Sequence, residues 1–376
     1  MIEAPTLTVG VEEEYLLVDL ETRELVSTVP PELLSRCEEA LGDRVSTEFL
    51  QCQIEIMTGV CDSMSQVRSE LLEARRAVAS VAGDFGLAPI AASTHPLSTH
   101  ADVRRTERDR YATLADDLQA VVQRLVICGM HVHVGIENPD LRMDLMSQAT
   151  YVLPHMLALT TSSPFWEGAD TGLKSYRLAV WDELPRTGLP PAFSSWGEYQ
   201  RHIDILVDSG VLREPTMLWW DLRPSARFPT LEMRICDVCT SIDDAVAVAS
   251  FYRCWIHYLW EMRRGNQRWR SYLPMLLNEN RWLAQRNGVN ASLADFGRGE
   301  LVSMVELVDE AIELLAHSAA ELGCEAEIAH LHEIVTRGTS ADRQLAVRDD
   351  AIASGGSHTD SLRAVVDHLV AETVAG

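Results

Sequence analysis

Two glutamates stand two residues apart in Gly10-Val11-Glu12-Glu13-Glu14, and two histidines stand two apart in Gly129-Met130-His131-Val132-His133. Gln53-Ile54-Glu55 and Glu232-Met233-Arg234 repeat the spacing. Side chains two apart on an extended strand point to the same side of a sheet. If these segments are strands of one sheet, Glu12, Glu14, Gln53, Glu55, His131, His133, Glu232 and Arg234 share a face, with Val9, Val11, Ile54, Ile56, Val132, Val134, Leu231 and Met233 behind them. Glu13 falls on the apolar side by the same parity and is expected to be structural. A merely solvated face would mix Thr, Lys, Ser and Gln. Crowded carboxylates repel and desolvate one another, so Glu12, Glu14, Glu55 and Glu232 call for cations between them. Hard oxygen ligands suit magnesium or manganese, with His131 or His133 as an occasional nitrogen ligand.

Arginines form the counterpart: Arg177, Arg223 in Trp219-Trp220-Asp221-Leu222-Arg223-Pro224, and Arg234 beside Glu232. The guanidinium fork matches phosphate and carboxylate oxygens two at a time, although any one of the three is equally readable as a structural salt bridge. Carboxylate-held magnesium with several arginines is equipment for phosphoryl transfer from a nucleotide, where positioning and charge neutralisation supply most of the catalysis. The whole-chain charge points the same way. In 376 residues, Lys+Arg 32 against Asp+Glu 56 leaves a formal net charge of −24, a field that repels nucleic acid and anionic membranes. An anionic substrate would need bound cations to reverse that field locally.

These residues need strands to carry them, and alternation predicts strands over 6–19, 48–58, 124–136 and 229–237, with shorter ones over 88–93 and 217–222. Helical periodicity covers 31–40, 63–82 and 140–159, then nearly everything from Ser241 onward: to Glu261, then 272–286, 300–322, 324–337 and 359–373. The fold class expected is α+β, with a mainly antiparallel sheet and helices on one face. It forms one domain over 1–376, sheet-rich over 1–240 and helical over 241–376. The Gly/Pro-rich stretch 162–196 is too long for a plain connection, and its aromatic and basic residues suggest an ordered, functional loop. No run approaches a membrane span and the first ten residues lack signal-peptide character, so a cytoplasmic protein is expected. The eight cysteines, the Cys236/Cys239 pair included, read as buried thiols of a reducing compartment.

With these residues in hand, the chain resembles the bacterial carboxylate-amine ligases, also called the type 2 glutamate-cysteine ligase family. The matching pieces are Thr8-Val9-Gly10-Val11-Glu12-Glu13-Glu14-Tyr15, Gln53-Ile54-Glu55, Gly129-Met130-His131-Val132-His133-Val134-Gly135, Ser175-Tyr176-Arg177, Trp219 to Pro224 and Thr230-Leu231-Glu232-Met233-Arg234, with weaker matches at Asn280 to Arg286 and Ala341 to Gln344. The resemblance implies a fold like that of glutamine synthetase and guanidino kinases, a curved antiparallel sheet with helices on its convex face and ATP with two or three magnesium ions on its concave face. It also implies that ATP phosphorylates a carboxylate and an amine then displaces phosphate, giving an amide, ADP and phosphate. Glutamate and cysteine are the default pair; neither is fixed by the residues, and homo-oligomerisation stays open. Carried over position by position, Glu12, Glu14, Glu55, His131 and Glu232 are metal ligands, with His133 and Gln53 close by. Arg177 and Arg234 hold the phosphoryl group or the acceptor carboxylate, and Arg223 and Arg343 assist. Residues 162–196 are the candidate lid over the acyl phosphate.

Two other readings compete. A metal-dependent amide hydrolase could use His131-x-His133, but further histidines and an aspartate at later strand ends are missing. A ligand-sensing protein on an inactive enzyme fold would be expected to have lost metal ligands, whereas the acidic set is intact.

Overall fold

Glu12 lies opposite His131 in one antiparallel ladder and Glu14 lies opposite Glu55 in the next, so the acidic and imidazole residues are brought together by strand register. The computed structural model describes residues 3–48, 50–99 and 124–376. Among these, seven strands form the main sheet: β1 (Val9–Asp19), β2 (Val45–Thr47), β3 (Gln53–Met57), β4 (Leu87–Ile90), β5 (Met130–Gly135), β6 (Leu222–Pro224) and β7 (Thr230–Met233). Their order is β6-β7-β5-β1-β3-β2, every pairing antiparallel, and β4 pairs with the far end of β1. Because Leu16 faces both Gln53 and Ile90, β4 continues the edge of β1 that β5 occupies earlier.

The expected strands are there but shorter. The reading of 48–58 as one strand is corrected: β2 and β3 form a hairpin whose connection includes Glu48 and a turn at Gln51 and Cys52. The segment 217–222 divides between β6 and a two-residue parallel pairing of Trp219–Trp220 with Thr187–Gly188. Residues 140–159 are two helices, α3 (Pro139–Ala149) and α4 (Leu153–Thr160), split by a tight turn at Thr150–Val152. Pro154 explains the split, since it has no N–H to bond the carbonyl four residues back.

The other helices among the described residues are α1 (Pro31–Leu41), α2 (Met64–Gly83), α5 (Tyr176–Trp181), α6 (Trp196–Asp208), α7 (Ile242–Arg264), α8 (Pro274–Asn287), α9 (Met304–Leu322), α10 (Glu325–Arg337), α11 (Ser340–Ala353) and α12 (His358–Thr373). The C-terminal part is not wholly helical, because Ser292–Asp295 and Glu300–Ser303 form a hairpin before α9. The helix α11 had no counterpart among the segments read as helical.

One face of the sheet carries Val9, Val11, Tyr15, Ile54, Ile56, Val132, Val134, Leu231 and Met233, all buried, with α2, α3, α7 and α12 packed on its strands. Glu13 lies on this apolar face, fully buried, as parity requires. The Arg75 fork meets it at 2.6 and 2.9 Å, and the Tyr15 hydroxyl donates to it as well. Arg75 also donates to the carbonyls of Cys239, Thr240 and Thr373. A buried ion pair is tolerable when its remaining hydrogen-bonding groups are satisfied, and here the pair ties α2, β1, the segment after β7 and the end of α12 into one unit. No described helix is long and apolar enough to cross a membrane.

Candidate active site

The opposite face holds the chemistry. Across the sheet from β2 to β6, Ser46 faces Glu55, Glu55 faces Glu14, Glu12 faces His131, His133 faces Glu232 and Glu232 faces Arg223. Among the described residues three groups of potential metal-ligand atoms result, each with its atoms within 4.8 Å of one another: Glu12, Glu55 and His131; Glu12, His133 and Glu232; Glu14, Glu48 and Glu55. All five residues read as ligands from sequence lie in these groups, and Glu12 and Glu55 each serve two. Glu48 was missed. Alternation would have put it on the apolar side of a continuous strand, and only the hairpin turn returns it to the site.

One of the two imidazoles is prepared as a neutral ligand. Burial, followed by the positive Arg234, pushes His131 down to about 4, so the ring is uncharged at neutral pH. Its Nδ1 lies 3.1 Å from Glu12 Oε2 and 3.4 Å from an Nη of Arg234; the tautomer with the proton on Nδ1 donates to the carboxylate and leaves the Nε2 lone pair free. His133 Nδ1 is 2.9 Å from the Thr230 hydroxyl, and its Nε2 lies 3.3 Å from Glu12 Oε1.

The carboxylates divide in two. Burial opposes ionisation of Glu12, but His131 and His133 outweigh it and hold its pKa far below the usual range. Burial likewise opposes ionisation of Glu232, and Arg234 and Arg223 outweigh it. Glu14 is pushed up to about 7 by burial, which Arg177 only partly offsets and the Glu55 charge reinforces. Glu55 is pushed up to about 8, by burial and then by Glu48 and Glu12. Acidic oxygens too crowded to ionise together, next to the uncharged His131 ring and the imidazole of His133, are a donor set that fits divalent cations of the magnesium or manganese type.

The arginines differ in what they have left to offer. Arg223 spends its fork on Glu232 at 2.9 and 3.1 Å and its remaining amino group on the carbonyls of Thr216 and Leu218, so it orients a carboxylate. Arg234 donates to Glu232 and keeps a buried Nε–H without a partner. Arg177, 2% exposed, reaches only the carbonyls of Ile235 and Arg234 at 3.4 and 3.3 Å, and its Nε–H is also buried and unpartnered. Two guanidinium groups thus each keep a buried Nε–H without a partner beside the carboxylate cluster.

Gln53 and Arg343 are engaged otherwise. The Gln53 amide is buried, donating to the Ile127 carbonyl and accepting from the Leu50 N–H. Arg343 bonds Glu372 and the Gly338 carbonyl and lies 3.8 Å from Asp244, all groups of the helical region. A residue that sequence reasoning did not single out is Asp237, fully buried, which accepts from the Ser162 N–H and the hydroxyls of Ser163 and Ser175. It fastens the start of the 162–196 loop and the residues leading into Arg177. Its partners lie more than 60 residues away in sequence, so no local pattern announces it.

This fold and site define an ATP-dependent ligase, and comparison with known proteins makes the family specific. A family model described as glutamate-cysteine ligase family 2 matches residues 8–368, and the chain belongs to that family. A relative from Rhodospirillum rubrum, provisionally named glutamate–cysteine ligase 2, is 57% identical over 99% of this chain and 96% of its own length. One from Jannaschia sp. with the same provisional name is 52% identical over 96% of each. Among solved structures, the glutamate–cysteine ligase of Francisella tularensis in complex with AMP has TM-score 0.69 at 11% identity, covering all of this chain and 90% of that one. The bifunctional glutathione synthetase of Pasteurella multocida also has TM-score 0.69, at 15% identity over 98% of this chain, which spans 52% of that longer protein. The glutamine synthetase-like fold expected from sequence is thus the fold observed.

Proposed function

We propose that the protein joins the γ-carboxylate of glutamate to an amine, with cysteine as the reference amine, through an acyl phosphate formed with ATP. The observation that carries this reading is the set of three adjoining ligand groups, sharing Glu12 and Glu55, beside two arginines with unused donors. Divalent cations held there by Glu12, Glu14, Glu48, Glu55, Glu232, His131 and His133 would neutralise the triphosphate and make the terminal phosphorus open to attack.

The protein's own groups do the rest. Arg177 and Arg234 point their free N–H groups at the anionic transferring group, where charge accumulates as it passes from ADP to the carboxylate. Arg223 keeps Glu232 ionised and aimed, and Gln53 fixes the chain before β3. Asp237 anchors the 162–196 loop, which as a lid would keep water from an acyl phosphate that hydrolyses readily. The family name and the Francisella likeness support glutamate and cysteine as the first substrates to try, and the buried free thiols fit a cytoplasmic setting.

The test is ADP release with ATP and magnesium across a panel of carboxylates crossed with amines. ADP formation that requires glutamate together with an amine, accompanied by an amide product, is expected. Amide hydrolysis without ATP, or nucleotide binding with no turnover across the panel, would overturn the reading.

A further inference from the structure

Arg177 and Arg234 come from different segments and carry the same charge, Arg177 buried and Arg234 mostly so, yet they rest against one indole. The guanidinium carbon of Arg177 lies 5.5 Å from the Trp181 ring centroid and that of Arg234 lies 5.8 Å from it. Like charges brought out of water repel and would swing apart unless something holds each in place. An aromatic face attracts a guanidinium and does so more strongly where water is excluded.

The indole itself is fixed. Trp181 Nε1 donates to the Trp219 carbonyl at 3.3 Å, and the Trp219 ring meets it edge-on at 6.4 Å between centroids. The next residue, Asp182, is gripped by Arg281, which also holds Asp221, and the Asp221 carbonyl accepts the Arg234 backbone N–H. The ring is therefore tied to the backbones that present both arginines. We infer that Trp181 is a positioning residue that holds Arg177 and Arg234 as one pre-set receptor for the terminal phosphoryl group of the nucleotide. This inference rests on the ligase reading above and adds to it the residue that makes two separate cations act together.

The experiment compares Trp181→Leu, Trp181→Phe and Trp181→Ala with the wild type, using calorimetric binding of AMP-PNP and of ADP in magnesium, and turnover by ADP release. The ratio of the two affinities isolates the terminal phosphoryl group. Trp181→Leu and Trp181→Ala are expected to lose at least about tenfold of the preference for AMP-PNP over ADP and of kcat, while KM for the carboxylate changes little. Trp181→Phe, which keeps an aromatic face and loses the indole N–H, should recover to within about threefold. A purely structural role would instead lower the melting temperature without separating Leu from Phe. Arg177→Lys and Arg234→Lys provide the control. If these lose the preference while Trp181→Leu retains it, the Trp181 inference falls and the ligase reading stands. If the Lys variants also retain it, the arginines do not receive the phosphoryl group and the reading beneath fails too.

Discussion

A methyl group placed on Gly129 would stand 2.4 Å from an Nη nitrogen of Arg177. The same glycine donates its N–H to Glu14 Oε2 at 2.7 Å, so one residue both leaves room for the Arg177 guanidinium and holds a carboxylate of the candidate metal site. A side chain this buried cannot simply swing away. Gly129→Ala should therefore displace Arg177 and lower kcat at least about tenfold, with a stability loss of about 1–3 kcal/mol from overpacking. Steady-state kinetics and urea unfolding check this, and unchanged kcat would show that the position of Arg177 is unimportant.

The sharing of ligands sets an order among substitutions. Glu12→Gln and Glu55→Gln each affect two ligand groups, whereas Glu48→Gln affects one. Loss of a shared ligand should reduce ADP release by about a thousandfold or more, and loss of Glu48 by clearly less, while all three variants melt normally. Equal effects, or retained activity in Glu12→Gln, would contradict the assignment.

Protonation gives a third expectation. Burial, with like charges adding to it, raises Glu14 to about 7 and Glu55 to about 8. Without metal, the folded protein therefore keeps protons that the unfolded chain releases from about pH 4.3, and its stability falls as pH rises towards 8. Magnesium requires the ionised oxygens and displaces those protons, so its affinity should climb by up to about tenfold per pH unit for each proton displaced. The rise in melting temperature on adding magnesium should be larger at pH 8.5 than at pH 6.5. A pH-independent increment would argue that these two groups are not ligands.

Much of the site was readable in the sequence because strand parity is a local rule. It separated Glu12 and Glu14 from Glu13 and aligned both histidines with Glu232, and the registers agree. What it could not supply depended on breaks in regularity or on distant partners. Glu48 enters the site through a turn between β2 and β3. Asp237 bonds residues remote in sequence, Trp181 meets Arg234 only through the fold although Arg177 is four residues away, and Arg343 is drawn into the helical ion pairs by Glu372. The division of α3 from α4 was legible in Pro154, whereas the second strand of the hairpin before α9, Glu300–Ser303, lay within a stretch that read as helical.

The buried pair on the opposite face makes a prediction about stability alone. Arg75 and Glu13 are both fully buried, and Arg75→Leu would strand the carboxylate in the core. Such a loss costs about 3–5 kcal/mol, to be measured by urea unfolding. A change below about 1 kcal/mol would mean that the linkage between α2, β1 and α12 is not needed for the fold.

The most direct test of the cation-centred site is anomalous diffraction from crystals grown with manganese and AMP-PNP. Peaks between the triphosphate and the oxygens of Glu12, Glu55 and Glu232, at metal–oxygen distances of about 2.0–2.4 Å, are the predicted result. A nucleotide bound with its manganese touching none of these three glutamates would contradict it.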